Sequence, residues 1–191
     1  MRTLVLIGCG LVAAGLSGGA NAASRTYTND SYCFSALNPP GMSLSTIRQG
    51  AQFNSGKSCQ QADDPGCTFI LVYGMFFFQE TDLLSYMAQM YESEGWVLKP
   101  DGDFGPVKGW RQQTLVKGTG DQQKELHLYA RPLRRSERAS REGVVLAVGY
   151  GVTAAFNSSQ RETFSKSVRE VLTSWRTPEG CDPFAPNGPK P

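Results

Sequence analysis

The sequence predicts an α+β fold: an antiparallel sheet with two helices packed on it, and disulfide-stapled N- and C-terminal arms. Three observations lead there. An unbroken apolar run from Phe69 to Phe78 is flanked by polar segments. Two stretches, 83–91 and 164–175, carry apolar residues at helical spacing. Between them, short β-type runs are separated by Gly-rich turns, the pattern of an antiparallel meander.

Residues 1–22 read as a signal peptide. Arg2 precedes an apolar stretch from Leu4 to Leu16, and Ala20-Asn21-Ala22 fits the small-residue cleavage pattern. That stretch is too short for a membrane-spanning helix, which needs ~20 residues. The mature chain is therefore expected to lack a transmembrane segment and to work in the periplasm or as a secreted protein. Loss of Arg2 takes the formal charge from +2 to about +1. No global field then steers the chain toward nucleic acid or a membrane.

Residues 23–66 are rich in Ser, Asn, Gly and Pro and are expected to form an irregular arm. Four cysteines remain after cleavage: Cys33, Cys59, Cys67 and Cys181. In an exported chain they read as two disulfides, with three possible connectivities. The Asp64-Pro65-Gly66 turn lets Cys59 and Cys67 meet locally, and Cys33 with Cys181 would then tie the two ends together. The spacing contains no C-x-x-C pair and the chain has one histidine, so zinc is not expected. No cofactor is expected either.

The core domain is placed at 67–176. Phe69–Phe78 lacks alternation and is rich in aromatic and β-branched residues, so it reads as a central strand buried on both faces. Thr81 is the expected cap of the helix that follows. Its apolar stripe is Leu83, Leu84, Met87, Met90 and Tyr91, and Gly95 ends it. Strands are expected near 96–100, 107–117 and 124–131. In the third, Leu126, Leu128 and Ala130 face one way, and His127, Tyr129 and Arg131 the other. Residues 144–150 form another apolar strand. The last helix carries an S-x-x-E capping box at Ser159 and Glu162 and a stripe of Phe164, Val168, Val171, Leu172 and Trp175. Thr177-Pro178 stops it, and 177–191 is a Pro-rich tail.

Over residues 67–176 the chain resembles the PsbP-like α/β fold. The resemblance is carried by the helix entering Gly95-Trp96-Val97-Leu98 and by the closing segment from Phe164 to Ser174-Trp175-Arg176. It implies a binding, chaperone or assembly factor and brings no catalytic motif with it.

Catalytic chemistry finds little support in the residues. His127 lies mid-strand, beside neither a serine elbow nor a free cysteine, and reads as a solvent-side strand residue. The closest carboxylate pair that could hydrolyse a glycan is Asp101 and Asp103, within a turn. No phosphate-binding glycine loop is present. No catalytic residue is therefore assigned.

Charge concentrates at 131–142, RPLRRSERASRE, with five arginines and two glutamates. Arginine makes planar two-point contacts with carboxylates and phosphates. Arg131, Arg134, Arg135, Arg138 and Arg141 are the candidate partner-binding residues, and in a helix they would lie largely along one face. Nucleic acid is not expected, because this run lacks interleaved aromatics and the chain lacks a wider basic face. The expected function is an exported, non-catalytic protein-binding module, as an inhibitor, immunity factor or assembly factor. Its partner would be another exported or envelope protein, acidic where it meets the arginines. The alternatives are an envelope glycan or murein hydrolase using Asp101 and Asp103, or a lipid carrier whose pocket is lined by 69–78 and 83–91.

Overall fold

The computed structural model describes residues 26–56, 59–64, 66–100 and 104–185. The signal-peptide assignment, and with it residues 1–22, lies outside them. In chain order the elements are β1 (Thr26–Asn29), β2 (Phe34–Leu37), β3 (Ser43–Ile47), β4 (Gly50–Asn54), β5 (Phe69–Phe77), α1 (Leu83–Glu92), β6 (Val97–Leu98), β7 (Arg111–Lys117), β8 (Lys124–Ala130), β9 (Arg134–Arg135), α2 (Glu137–Arg141), β10 (Ala147–Asn157) and α3 (Arg161–Ser174). Short 3-10 turns precede β8 and α3.

The main sheet is antiparallel, in the order β3-β4-β5-β10-β8-β7-β6, with β9 also paired to β10. The α+β class is thus the observed one. Strands β5 and β10 hold the centre because both are apolar on both faces. On one face, Ile70, Val72, Tyr129, Val152 and Phe156 pack against Phe164, Val168, Val171 and Leu172 of α3. On the other, Phe69, Tyr73, Leu115, Leu126 and Leu128 pack against Leu83, Leu84 and Met87 of α1. Each such side chain contributes roughly 1.5–3 kcal/mol on burial. Of the side chains expected to line a lipid pocket, Phe69, Ile70, Val72, Leu83, Leu84 and Met87 pack into this core, while Phe78, Tyr86 and Met90 are exposed.

Residues 26–54 depart from the irregular arm that was expected. They form four strands, and β4 pairs with β5 as a true member of the sheet. Neither β3 nor β4 has strong hydrophobic patterning; pairing of β4 with β5, and of β3 with β4, supplies what their own sequence lacks. The β1–β2 hairpin instead lies against the end of α3. Ser35 exchanges backbone hydrogen bonds with Arg176 at 2.9 and 3.0 Å, and Phe34 stacks on Trp175 with ring centres 4.5 Å apart. Two disulfides, Cys33–Cys181 and Cys59–Cys67, fix this arm and a short loop.

Both helix starts differ from expectation. Asp82, not Thr81, caps α1: its carboxylate accepts from Leu84 N at 3.1 Å. Arg111 also grips that carboxylate with two 2.9 Å hydrogen bonds. Before α3, the reciprocal capping pair is Asn157 and Gln160 rather than Ser159 and Glu162. Gln160 is fixed further by a 2.8 Å hydrogen bond from Thr68 Oγ1 in the chain before β5. A tertiary contact thus selects between two local capping patterns.

Candidate functional site

The arginine segment folds onto the end of the sheet. Arg131 N donates to Tyr150 O at 3.0 Å, extending the β8–β10 ladder by one residue. Pro132 has no N–H to continue it. The chain then returns to β10 as β9, with Arg134 opposite Val148 and Arg135 opposite Ala147. Ser136 closes the next step: its backbone N donates to Leu146 O at 2.8 Å, and its hydroxyl accepts from Ala139 N at 3.3 Å, capping α2. Only residues 137–141 are helical, so the five arginines do not share one helix face.

The strand pleat sends Arg134 and Arg135 to opposite faces of the sheet. Arg135 pairs with Glu80 at 2.7 Å, and Arg138 with Glu142 at 3.4 Å. Arg134 lies beside the Tyr150 hydroxyl, which itself donates to Tyr32 O at 2.8 Å. Burial raises the Tyr150 pKa, with Arg134 pulling against that shift. Arg131 is half-buried, and its guanidinium sits 5.2 Å from the centre of the Trp110 ring. Burial lowers its pKa, and the nearby positive charge of Arg176 lowers it further. Gly109 makes room for this placement: a Cβ there would meet Arg131 Nη2 at 3.3 Å, and its φ of 82° suits glycine.

A second cluster is buried under α3. Glu125 and His127 are 2% and 1% exposed, although both lie on the polar-looking face of β8. The expectation of a solvent-side His127 is corrected here, because α3 and the chain around Phe104 cover that face. His127 Nε2 is 2.9 Å from Glu125 Oε2, and His127 Nδ1 is 3.4 Å from Thr114 Oγ1. An ionised carboxylate only accepts, so Nε2 carries the proton and Nδ1 accepts from the threonine. Arg161 bonds to the same carboxylate oxygen as His127, and Lys99 stands 3.6 Å from the other. Burial pushes the Glu125 pKa up, but His127, Arg161 and Lys99 together outweigh it and hold it below the ordinary value. Burial lowers the His127 pKa, so the ring stays neutral.

The Phe104 ring stacks on His127 with centres 4.1 Å apart and planes 18° apart. Its other neighbours are Arg161, 5.2 Å from the ring centre, and Arg169, which donates to Phe104 O. An open groove of about 500 Å³ runs along Phe104, Ser159, Arg161 and Arg169. Phe104 thus stands between that groove and the imidazole. The cluster joins the chain just after β6, β8 and the start of α3 through charge, with β7 adding the Thr114 hydroxyl, and its histidine is sealed from ligands.

Asp101 and Asp103 lie outside the described residues. Asp63 pairs with Lys117 at 2.6 Å, and Asp64 accepts from Gln60 N and Gln61 N at 3.3 and 3.0 Å. Both therefore brace the Cys59–Cys67 loop. Among the described residues no three His, Cys, Asp or Glu side chains come together as metal ligands. No helix among them is long and apolar enough to cross a membrane. Sequence reading missed Trp110 and Arg176 as neighbours of Arg131. The strand pairing of 111–117 with 124–130 holds a signal for Trp110, because extending that register by one residue sets it opposite Arg131.

No protein-family model and no curated protein matches the chain. Among solved structures it is similar to LpqN of Mycobacterium tuberculosis, described as involved in cell envelope biogenesis. That match has 14% identity and a TM-score of 0.46, and covers 76% of this chain and 83% of that one. It is also similar to the Saccharomyces cerevisiae Ran-binding protein Mog1p, with 9% identity and a TM-score of 0.44, covering 76% and 90%.

Proposed function

We propose that this chain is an exported, non-catalytic module that holds another periplasmic or envelope protein through its arginine segment. It would act as an inhibitor, an immunity factor or an assembly factor. The carrying observation is the way the segment is built. Strand pairing and the Ser136 cap hold Arg134, Arg138 and Arg141 on a folded outcrop, where their guanidiniums are exposed. A guanidinium held in place loses less entropy on pairing with a carboxylate than one on a free loop. Two disulfides support an oxidising compartment, and the signal-like residues 1–22 support export. The PsbP-like arrangement belongs to the same proposal. Support for it comes from the central antiparallel sheet with α1 on one face and α3 on the other.

The test is capture from the native host, comparing the parent with the Arg134→Glu, Arg135→Glu, Arg138→Glu variant. The parent is expected to retain a defined protein and the variant to lose it. The melting temperature should move by only a few degrees, because the exposed ion pairs removed contribute roughly 0–1 kcal/mol each. Equal capture by both proteins would exclude the arginines from the contact.

A further inference from the structure

We infer that the anion-binding centre of this surface is the trio Arg131, Arg134 and Arg176, and that it takes a carboxylate from an acidic segment of the protein partner. This deepens the proposed function and rests on it. The trio is drawn from two distant parts of the chain. Arg131 and Arg134 stand on the α3 face of the sheet, opposite Tyr150 and Val148 of β10. Arg176 reaches the same end of the molecule from beyond α3, where its backbone pairs with Ser35 and its guanidinium donates to Thr173 O and Trp175 O at 2.8 Å.

Between the arginines lies an aromatic floor. Trp110 meets Trp175 edge to face at 5.2 Å, and Trp175 meets Tyr150 at 5.6 Å. Arg131 rests on Trp110, and Trp110 Nε1 donates to Leu172 O at 3.2 Å, which fixes the indole. The floor aligns the Arg131 guanidinium before any ligand arrives.

Charge balance separates the trio from the other arginines. Among the described residues, the ion pairs formed by arginine use Arg111, Arg135, Arg138 and Arg161. None uses Arg131, Arg134 or Arg176. Arg176 is close enough to disfavour the charge of Arg131, which is half removed from water. An incoming oxyanion relieves that repulsion and can take a two-point contact from a guanidinium fork. Arg135 and Arg138 already have carboxylates, so a ligand must displace those first.

A protein carboxylate is favoured over a lipid surface by size and field. Attraction to an anionic membrane relies on clusters of roughly 4–8 basic residues. At this end Arg135 and Arg138 already pair with Glu80 and Glu142, and the guanidiniums beside the aromatic floor are left as a small cluster in a chain of formal net charge +2. That geometry suits a few carboxylates on a folded or extended polypeptide.

The test uses the full mature chain and three probes: an end-blocked hexaglutamate peptide, inorganic phosphate, and vesicles of phosphatidylglycerol. Binding is read at low salt by tryptophan fluorescence, since Trp110 and Trp175 form the floor. One variant carries Arg131→Gln, Arg134→Gln and Arg176→Gln, and a control carries Arg111→Gln and Lys166→Gln, exposed cations outside the arginine segment. Hexaglutamate is expected to bind the parent, to bind the first variant at least 10-fold more weakly, and to bind the control within 2-fold of the parent. The single substitutions Arg134→Gln and Arg176→Gln, both at exposed side chains, should each weaken binding about 3-fold and keep the site testable if the triple variant fails to fold. Equal loss in the control would overturn the inference in favour of diffuse charge. Binding of vesicles or phosphate without the peptide would overturn the carboxylate assignment, as would no binding of the peptide at all. Capture from the host separates the two levels. Capture that survives loss of Arg131 and Arg176 but fails with Arg135 and Arg138 sinks the trio and leaves the proposed function standing. Capture indifferent to every arginine removes the proposed function, while the peptide titration still reports on the trio.

Discussion

Glu125 shows how one buried charge organises a region. It is held by His127, Arg161 and Lys99, each from a different part of the chain, so its removal strands cations that remain near the interior. Glu125→Gln is expected to cost about 3–5 kcal/mol, as breaking one side of a buried ionic network does, measured by chemical denaturation at neutral pH. The same residues set a pH dependence. His127 has a folded pKa below its ordinary 6.5, so as pH falls below that value the unfolded chain takes up a proton that the folded chain refuses. Stability drops over that interval. Glu125 has a folded pKa below its ordinary 4.5, and its contribution is lost in turn as pH falls through the region below 4.5. Both effects have one sign: acid destabilises. A His127→Gln variant should show a flatter stability curve below pH 6.5 than the parent, and an unchanged slope there would exclude the histidine as its source. Lys124 poses a related problem, bonded to carbonyls rather than to a carboxylate. Its buried ammonium donates to the carbonyls of Ala62, Asp64 and Cys67, so it closes the small disulfide loop from inside. Lys124→Met should cost about 3 kcal/mol by leaving those carbonyls unpaired, visible as a melting temperature lowered by roughly 6–12 °C.

Periodic elements were legible in the sequence and paired ones were not. The stripe Phe164, Val168, Val171 and Leu172 is buried along α3 with Trp175 just past its end, and the facing read in 124–131 is the one observed in β8, with Tyr129 in one core and Leu126, Leu128 and Ala130 in the other. Those patterns follow from burying a face and need no knowledge of the partner. Strands β3 and β4 lack such a pattern, because pairing of β4 with β5 and of β3 with β4, rather than their own side chains, makes them strands. His127 was misplaced for the same reason. Its strand has two covered faces, and the cover over its own side comes from Phe104 and α3, distant in sequence. The capping box before α3 slipped because Thr68, far from α3 along the chain, chooses Gln160. Close packing across the sheet was equally hidden. A Cβ on Gly151 would lie 2.7 Å from the Tyr73 ring, so the bare backbone is what lets that ring lie flat on β10. Gly151→Ala should therefore destabilise by about 1–3 kcal/mol through overpacking. Trimming the ring with Tyr73→Leu in the same chain should recover part of that loss.

At the scale of the molecule, the ends of the chain and the arginine trio form one mechanical unit. The sequence pointed to the arginine segment but could not reveal that Arg176 joins it, since only the folded path brings the end of α3 beside Arg131. Cys33–Cys181 spans 148 residues of sequence and holds the β1–β2 hairpin against that same end of α3. Through Ser35 the hairpin grips the backbone of Arg176, and through Phe34 it seats Trp175 in the aromatic floor. In the chain-entropy picture a loop of this length stabilises by about 5 kcal/mol, against about 2.6 for the Cys59–Cys67 loop. Lys124 and Asp64 hold the short loop as well, so its disulfide is the more expendable of the two. The Cys33→Ala, Cys181→Ala variant should melt roughly 10–20 °C below the parent, and the Cys59→Ala, Cys67→Ala variant under about 10 °C below it. The sharper expectation concerns binding. At temperatures where both variants remain folded by far-ultraviolet circular dichroism, only loss of Cys33–Cys181 should weaken hexaglutamate binding, because only that bridge keeps Arg176 and Trp175 in register with Arg131. Equal affinities for the two variants would show that α3 alone holds the trio in place and that the hairpin serves stability without serving the site.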